Sequence, residues 1–481
     1  MIFSSYEFIF LFLPSCFVIY FYINKKKLFK LATGFLAISS LFFYSWWNIL
    51  YLPLILSSVV VNFLLSQLII KLEESKKYIL ITGIVFNIFL LGYFKYSDFF
   101  LQNTNLFFSS NYSLLYLTLP LAISFFTFQQ IAFLVDTYKG YVKKNSFLNY
   151  VVFVTFFPQL IAGPIVHHKE MMPQFSSKKN KFLNYKNIYL GIFIFSIGLF
   201  KKTVIADSFS KWATNGFDLM HQLTLVEAWV TSLSYTFQLY FDFSGYADMA
   251  IGAALLFNIK LPLNFDSPYK ATNIRDFWNR WHITLSRFLR DYIYIPLGGN
   301  RYGSFKMYSN LLTTFLVGGL WHGAGWTFIF WGLMHAIAVI IQRIWNNTGF
   351  ALNKLIAWFI TFNFINISWV FFRAEQWEDA IKILKGMFGF SGITLPILFQ
   401  KITFLNFEKI EYSNAYANFN DDSEITFWIF IAFLITLFFK NSNQLVNSYR
   451  PNNKIIFFIV MLFIVSLMHL DKNVDFIYFN F

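Results

Sequence analysis

The chain of 481 residues is strongly apolar, with 57% hydrophobic and only 13% charged residues. Soluble proteins usually carry about 25% charged residues, so the composition excludes an ordinary soluble enzyme and indicates a membrane domain. The formal net charge of +14 does not indicate nucleic-acid binding, because many basic residues form short clusters between apolar segments. The single cysteine, Cys16, excludes an intramolecular disulfide and a cysteine metal cluster.

Apolar segments long enough to cross a bilayer recur along nearly the whole chain. A spanning helix needs roughly 17 to 25 residues. Such segments lie near 6–22, 31–48, 52–70, 78–95, 113–135, 187–205, 226–257, 309–345, 352–372, 425–439 and 454–470. The segment 309–345 is long enough for two helices. The sequence therefore predicts an all-α polytopic membrane protein.

The basic clusters predict how the first helices are oriented. Loops 23–30, 71–77 and 136–147 are rich in lysine, whereas 48–52 and 96–112 contain neither lysine nor arginine. Because basic loops favour the cytoplasm, this alternation predicts an N-terminus outside the cell. The residues before the first apolar segment carry no basic residue, which predicts a retained anchor and no cleavable signal peptide.

Three regions do not fit a simple series of spans. Residues 147–175 contain an apolar run too short to cross, and residues 260–306 mix basic residues with Trp and Tyr. Irregular or charged backbone at membrane depth must be buried in protein or line a wet cavity. Both regions are therefore predicted to be re-entrant or interfacial elements on the cytoplasmic side. The polar loop 396–424 is predicted to lie outside.

Residues 275–301 combine aromatic side chains at helical spacing with many charges. The spacing predicts one amphipathic helix that ends near Ile293, before Pro296. One interpretation is an interfacial helix lying on anionic lipid. His282 and two tryptophans exceed what lipid adhesion requires, which favours a functional site.

Charged residues in apolar surroundings are expected to occur in pairs. Two i,i+4 pairs are predicted within the amphipathic helix, Asp276 with Arg280 and Arg287 with Asp291. Asp242, Ser244 and Asp248 lie in an apolar span. We expect the two carboxylates to pair with arginines of 275–301 rather than to act in catalysis.

His322 lies in the apolar, glycine-rich run 317–331. An ionisable residue inside a membrane segment is costly and is by default a functional hypothesis. Histidine suits proton transfer because its unperturbed pKa is about 6.5. The alternative is a core histidine hydrogen-bonded across a helix interface, and His335 is interpreted in that way.

The sequence offers only weak signals for a serine-hydrolase triad and for a metal site. A serine-hydrolase triad would use Ser244, His322 and Asp242. It lacks the G-x-S-x-G turn that exposes the nucleophile. His167, His168 and Glu170 form only a weak metal signal, because no second cluster completes a site. No metal is predicted.

Four sequence blocks identify a family. They are FPQLIAGPIV (157–166), FDFSGYADMAIG (241–252), the segment 264–299 containing RDFWNRWHITLSRFLRD, and GLWHGA (319–324). Together they resemble the bacterial membrane-bound O-acyltransferases, in the branch of the alginate and peptidoglycan O-acetyltransferases. Residues 1–14 and 367–381 also resemble that branch, so the resemblance covers nearly the whole chain.

The resemblance implies one domain of about 11 to 13 transmembrane or re-entrant helices around a tunnel between the two membrane faces. Its parts are N-terminal helices 1–145, a catalytic core 146–375, and C-terminal helices 376–481. The family's catalytic histidine corresponds to His322, and a second important polar position corresponds to His282. Further candidates for the tunnel or donor site are Trp278, Asn279, Arg280, Arg287, Trp321, Gln159, Gly163, Pro164, Asp242 and Ser244.

The resemblance also implies the substrates. The expected donor is a cytoplasmic thioester, acetyl-CoA or an acyl-carrier thioester, with no bound cofactor. The expected acceptor is a polysaccharide on the other side, reached through a periplasmic or extracellular acyltransferase partner. The expected location is the bacterial plasma (inner) membrane. Alternatives are transfer of D-alanyl or another acyl group, a lipid acceptor, or a transporter that makes no bonds.

The C-terminal sequence FIYFNF resembles the terminal F-x-Y-F-x-F pattern of this branch. The pattern is similar to the tail of the small partner peptide in teichoic-acid D-alanylation. The resemblance implies that Tyr478 carries the acyl group in transit. The alternative is an aromatic anchor at the membrane interface, where Tyr and Trp are enriched.

Overall fold

The computed structural model describes most of the chain, in several stretches. These are residues 1–142, 146–161, 163–396, 410–413, 416, 419, 424–447, 452–470 and 476–477. Tyr478 and most of the loop 396–424 lie outside the described residues.

The described residues are overwhelmingly helical. The α-helices are α1 (Leu13–Lys25), α2 (Phe29–Ser45), α3 (Leu52–Lys71), α4 (Lys76–Phe108), α5 (Ile123–Tyr138), α6 (Phe147–Thr155), α7 (Phe157–Leu160), α8 (His168–Ser176), α9 (Tyr185–Phe200), α10 (Asp207–Thr214), α11 (Leu225–Leu256), α12 (Ile274–Arg280), α13 (Ile283–Leu289), α14 (Gly303–His322), α15 (Trp326–Asn346), α16 (Lys354–Arg373), α17 (Trp377–Met387), α18 (Glu424–Phe438), α19 (Ser442–Asn447) and α20 (Asn453–Leu467). π-Helical turns cover Glu7–Phe12, Lys201–Ala206, Asn215–Leu219 and Arg290–Tyr294, and 3-10 turns cover Ile49–Tyr51, Lys178–Lys181 and Pro268–Lys270. Two short strands, β1 (Ile393–Pro396) and β2 (Ile410–Ser413), pair in parallel.

The predicted apolar segments are helical over most of their length, which confirms the all-α polytopic fold. The segment 113–135 is an exception, because its helix, α5, begins only at Ile123. Six helical stretches are long and apolar enough to cross a membrane: Glu7–Lys25, Ile49–Lys71, Lys76–Phe108, Tyr185–Leu219, Trp326–Asn346 and Lys354–Arg373. The segment 309–345 forms two helices, α14 and α15, because the chain leaves helical geometry between Gly323 and Gly325. The parallel pair β1–β2 is not predicted from the sequence.

Helix α4 is longer than the sequence predicts. It continues to Phe108, so most of the predicted loop 96–112 is helical. Its 33 residues correspond to about 50 Å, well beyond the hydrocarbon core of about 30 Å. Lys95, placed by the sequence at the border of a span, therefore lies within the helix.

Helix α11 forms the centre of the molecule and is buried along nearly its whole length. Helix α9 packs against it through two glycine pairs, Gly191 with Gly252 and Gly198 with Gly245. A Cβ atom at Gly198 would lie 2.5 Å from the carbonyl oxygen of Gly245, so the two backbones are in direct contact. Small residues allow such close approach between membrane helices.

The predicted single helix over 275–293 is wrong. The chain forms α12, breaks at His282, and continues as α13 and a π-helical turn. The N–H of Asp266 donates to the carbonyl oxygen of Arg280 (2.9 Å), and the N–H of Ile283 donates to that of Asn264 (3.0 Å). These bonds to a distant segment replace helical ones. They leave His282 with a φ of +42°, a strained conformation of a kind that clusters at functional sites.

Candidate active site

The strained break brings His282 close to His322. His322 is the last residue of α14, and the two imidazole ring centres are 6.4 Å apart. Both side chains are fully or almost fully buried. Two histidines predicted from separate sequence blocks therefore lie at one place in the fold.

Asn264 holds the ring of His282 in place. Its Oδ1 atom lies 3.1 Å from Nδ1 of His282 and accepts a hydrogen bond from the hydroxyl of Thr284 (2.8 Å). The Thr284 hydroxyl oxygen in turn accepts the backbone N–H of Ile165 (3.0 Å). All three polar side chains are buried. Asn264 and Thr284 were not predicted as site residues.

Aromatic side chains surround His322. Its ring centre lies 5.0 Å from those of Trp321 and Phe372 and 5.2 Å from that of Trp331. Trp321 also stacks on Phe128, with ring centres 5.1 Å apart. This packing fixes the ring and excludes bulk water, which strengthens electrostatic interactions within the site.

Lys95 is a site residue that the sequence analysis missed. Its Nζ atom donates to the carbonyl oxygens of Trp321 and His322 (3.1 Å to the latter). Those carbonyls belong to the last turn of α14, where a cation is favourable because the helix dipole is negative there. A lysine within a membrane helix is itself a functional signal. The signal was lost because α4 was predicted to end at Lys95.

One cavity opens beside the middle of α14, where Leu311, Thr314 and Phe315 line it. It has a volume of about 430 Å³. It is lined by Arg275, Asn279, Arg290, Asn300, Thr314 and Arg343, among others. Trp278 also lines it and donates from Nε1 to Nδ1 of His335 (3.2 Å). Three guanidinium groups around one cavity suit an anionic ligand.

Arg280 and Arg287, predicted to meet the donor, are both engaged in ion pairs. Arg280 pairs with Asp276 as predicted (2.8 Å). Arg287 forms a two-pronged bond to Glu170 (2.6 and 3.0 Å), so its predicted pairing with Asp291 is wrong. Asp291 pairs instead with Arg290 (2.7 Å).

A second cavity, of about 510 Å³, lies at the C-terminal end of α14. Its lining includes Lys95, Asp98, Gln238, Gly323, Arg373 and Ile477. Gly323 follows His322 in the chain. Along the chain, His322 lies between Phe315, which lines the first cavity, and Gly323, which lines the second.

The carboxylates of α11 pair with lysines and not with the predicted arginines. Asp242 contacts Nζ of Lys202 (2.9 Å), which also binds Asp207 (2.7 Å). Asp248 contacts Lys201 (2.6 Å). The carboxylates pair with lysines because the π-helical extension of α9, residues 201–206, carries these lysines alongside α11. Ser244 lies two residues after Asp242 and four residues before Asp248 on the same helix.

Asp242 also binds the C-terminal tail. Its Oδ2 atom accepts the backbone N–H of Ile477 (3.0 Å). The preceding side chain, Phe476, is 1% exposed and stacks on Tyr246 with ring centres 4.2 Å apart. Ile477 lines the second cavity. The residue that follows is Tyr478, which lies outside the described residues.

The block 157–166 contacts the segment that follows His282, through the bond from Ile165 to Thr284. Gln159 is buried and donates from Nε2 to the carbonyl oxygen of Phe153 (2.7 Å). Gly163 and Pro164 carry the chain to Ile165, the residue bonded to Thr284. A Cβ atom at Gly163 would collide with the backbone of Gln159, so the turn requires glycine.

Three further histidines, His335, His167 and His168, have polar neighbours within the fold. His335 bonds Trp278 and, through Nε2, the hydroxyl of Ser368 (3.1 Å), as expected of a core histidine. His167 bonds Tyr292 (3.0 Å), and His168 lies 3.1 Å from Asp136.

Comparison with known proteins agrees with this architecture. A model of the MBOAT, membrane-bound O-acyltransferase family, matches residues 84–374. The peptidoglycan O-acetyltransferase of Helicobacter pylori is 53% identical, over 84% of this chain and 83% of that protein. The probable alginate O-acetylase AlgI of Pseudomonas aeruginosa is 39% identical, over 81% and 75%. The teichoic acid D-alanyltransferase of Bacillus subtilis is 28% identical, over 54% and 69%.

The family match covers more than half of the chain and includes both α4 and the histidine pair. The relatives are named as acyl-transferring enzymes and align over most of the sequence. The chain is therefore a multi-pass membrane enzyme that belongs to the membrane-bound O-acyltransferase family.

Proposed function

We propose that the protein transfers an acetyl group from a cytoplasmic thioester, through the membrane, toward hydroxyls of a cell-surface polysaccharide. The observation that carries the proposal is the histidine pair close to two cavities, one beside the middle of α14 and one at its C-terminal end. Such an arrangement lets donor and acceptor approach one site through separate cavities. Peptidoglycan is the favoured acceptor because the Helicobacter pylori relative, 53% identical, is named for it.

The arginine-lined cavity is the proposed donor entrance. Arg275, Arg290 and Arg343 surround it, and guanidinium groups bind phosphate well. Both acetyl-CoA and an acyl-carrier thioester carry phosphate beside a flexible thioester arm. We therefore propose Arg275 and Arg343 for the donor, together with Arg290 in its pair with Asp291, in place of Arg280 and Arg287, which do not line this cavity. This cavity would face the cytoplasm, in keeping with an outside N-terminus in the bacterial plasma membrane.

The proposed chemistry uses His322 as general base. It removes the proton of an incoming hydroxyl as the hydroxyl oxygen attacks the thioester carbonyl carbon. The new C–O bond forms, the C–S bond breaks, and the proton returns to the leaving thiolate. General-base help of this kind contributes about 10²–10⁴-fold to the rate.

Tyr478 is the proposed first acceptor. Burial of Phe476 and the bond from Ile477 to Asp242 anchor the tail at the second cavity, immediately before Tyr478. The acyl-tyrosine would then pass its acyl group to a periplasmic or extracellular transferase, which modifies the polysaccharide.

The test supplies radiolabelled acetyl-CoA to membranes that contain the wild type, His322→Ala or Tyr478→Phe. We expect label in polymer and on the C-terminal peptide of the wild type only. Both variants must reach the membrane in wild-type amounts for the comparison to count. Full transfer by a well-folded His322→Ala variant would refute the proposal.

The same measurement separates the alternatives. If the wild type takes label only from a carrier-bound acyl group, the donor assignment to acetyl-CoA is wrong and D-alanyl-type transfer is favoured. A transporter would move an acyl species without forming a covalent intermediate, so it would tolerate Tyr478→Phe. Label found in lipid would identify a lipid acceptor.

A further inference from the structure

The hydrogen bonds around Asn264 determine which nitrogen of His282 carries the proton. The backbone N–H of Thr284 donates to Oδ1 of Asn264 (3.3 Å), and the Thr284 hydroxyl donates to the same atom (2.8 Å). The hydroxyl oxygen meanwhile accepts the N–H of Ile165 (3.0 Å). Because a backbone N–H can only donate, the bond from Thr284 fixes the atom facing His282 as the amide oxygen and not the amide nitrogen.

An amide oxygen can only accept hydrogen bonds. Nδ1 of His282, 3.1 Å away, must therefore be the protonated nitrogen. In a neutral imidazole the other nitrogen then holds the lone pair. Because Nδ1 donates its proton to Asn264, the lone pair of the His282 ring is on Nε2.

We infer that Asn264 and Thr284 are positioning residues that hold His282 as a hydrogen-bond acceptor in the resting site. This inference rests on the proposed acyl transfer and refines it. A neutral His282 in this state cannot donate a hydrogen bond from Nε2 to an oxyanion. Instead it accepts a hydrogen bond, through a bridging oxygen, from His322 when that ring takes the hydroxyl proton.

The proton balance is unchanged by this refinement. The O–H bond of the acceptor breaks, His322 receives the proton, and Nε2 of His282 stabilises the resulting imidazolium. The proton then leaves with the thiolate. The ring-centre separation of 6.4 Å leaves room for a bridging oxygen between the histidines, and such bridges are nearly as favourable as direct bonds.

The surroundings of His282 make its protonation state easy to test. Among the described residues, Phe243, Phe265 and Trp321 pack their rings on it, and these side chains are apolar or neutral. His322 is a titratable group beside it, and Lys95 is bound to the carbonyl oxygen of His322.

Asn264→Asp is the decisive variant. A carboxylate next to Nδ1–H favours the protonated ring, so His282 would lose its lone pair at a higher pH. We expect the acidic limb of the kcat–pH profile to move up by about one unit, since a unit corresponds to a modest change in charge interaction. The KM for acetyl-CoA should change less than twofold.

Thr284 provides a matched pair of variants. Thr284→Val removes the hydroxyl that orients Asn264 and should lower kcat by about tenfold, because the amide and ring are then free to turn. Thr284→Ser keeps the hydroxyl and should restore kcat. A purely structural role would lower the amount of folded protein in Thr284→Val and would leave the pH profile of Asn264→Asp unmoved.

The tautomer can also be observed directly. Nitrogen NMR of ¹⁵N-histidine-labelled enzyme, with His282→Gln used to assign the signal, should show a protonated Nδ1. A protonated Nε2 in the wild type would overturn the inference even if acyl transfer itself is established. Loss of transfer in every variant and in wild type would instead refute the proposed function.

Discussion

At the residue scale, Lys95 connects helix α4 to the end of the helix that carries His322. Its ammonium group binds the last carbonyl oxygens of α14, so the position of the His322 ring depends on a neighbouring helix. A misplacement of about 1 Å can cost an enzyme about 100-fold in rate. Lys95→Met should therefore lower kcat by at least about tenfold with little change in the KM for the donor.

The control for Lys95 is Lys95→Gln, which keeps an amide donor in reach of the same carbonyls. We expect it to retain more activity than Lys95→Met in the labelled acetyl-CoA assay. Equal, wild-type rates for both variants would show that the lysine does not hold His322.

Another residue, His167, should make folding sensitive to acid. Burial, assisted by the nearby Arg287, lowers the pKa of His167 from 6.5 to about 4. The folded protein therefore keeps this ring neutral at a pH where the unfolded chain protonates it. The resulting stability is fully present above pH 6.5 and is lost as the pH falls toward 4. The loss is at most about 3 kcal/mol, at about 1.4 kcal/mol per pKa unit.

The measurement compares thermal unfolding in detergent from pH 7 to 4.5. His167→Gln cannot titrate, so its unfolding temperature should fall less with acid than that of the wild type. The exposed His221 provides the control, and His221→Gln should follow the wild type. Parallel curves for all three proteins would refute the assignment.

At the scale of elements, the close packing of α14 on α15 fixes the direction in which His322 enters the site. Gly332 of α15 faces Phe315 of α14, and a Cβ atom there would lie 2.5 Å from the Phe315 carbonyl oxygen. Backbone cannot yield as a flexible side chain can. Gly332→Ala should therefore destabilise the fold by roughly 1–3 kcal/mol and reduce transfer.

Gly92 offers a matched control in α4, because a Cβ atom there meets nothing within 4 Å. Gly92→Ala should be neutral or slightly stabilising, since alanine favours a helix more than glycine does. Thermal unfolding and transfer are measured for both variants. Equal behaviour of the two would contradict the close contact between α14 and α15.

The same elements explain what could be predicted from the sequence. Membrane helices follow from continuous apolar runs, so their existence is a local property of the chain. The break at His282 depends on backbone bonds to Asn264 and Asp266, which lie 14 or more residues away. A local spacing rule therefore predicted one helix there. The pairing of Arg287 with Glu170 was missed for the same reason, because it joins separate elements.

At the scale of the whole molecule, the sequence singles out His322 as a candidate because an ionisable residue in an apolar helix is unusual. The cavities were not predictable, since each is assembled from several helices and loops. Asn264 carries no distinctive sequence signal, and its importance appears only when Thr284 and His282 meet it. Candidate residues at single positions could thus be named from the sequence, whereas the cavities beside them could be located only from the fold.

The direction of transfer depends on how the molecule is inserted, and α4 allows a direct test. Glu74 precedes this helix and Asn111 follows it, and both residues are exposed. Because α4 exceeds the membrane thickness, the two positions should lie on opposite sides. The lysines at its beginning predict that Glu74 faces the cytoplasm.

The single native cysteine, Cys16, is buried. In a Cys16→Ala background, any maleimide labelling therefore reports on the introduced cysteine alone. In spheroplasts, an impermeant maleimide should label the Asn111→Cys variant at once. It should label the Glu74→Cys variant only after the membrane is opened. The reverse pattern would place the arginine-lined cavity outside, where no cytoplasmic thioester could reach it. The proposed direction of acyl transfer would then be wrong, even with the histidine pair intact.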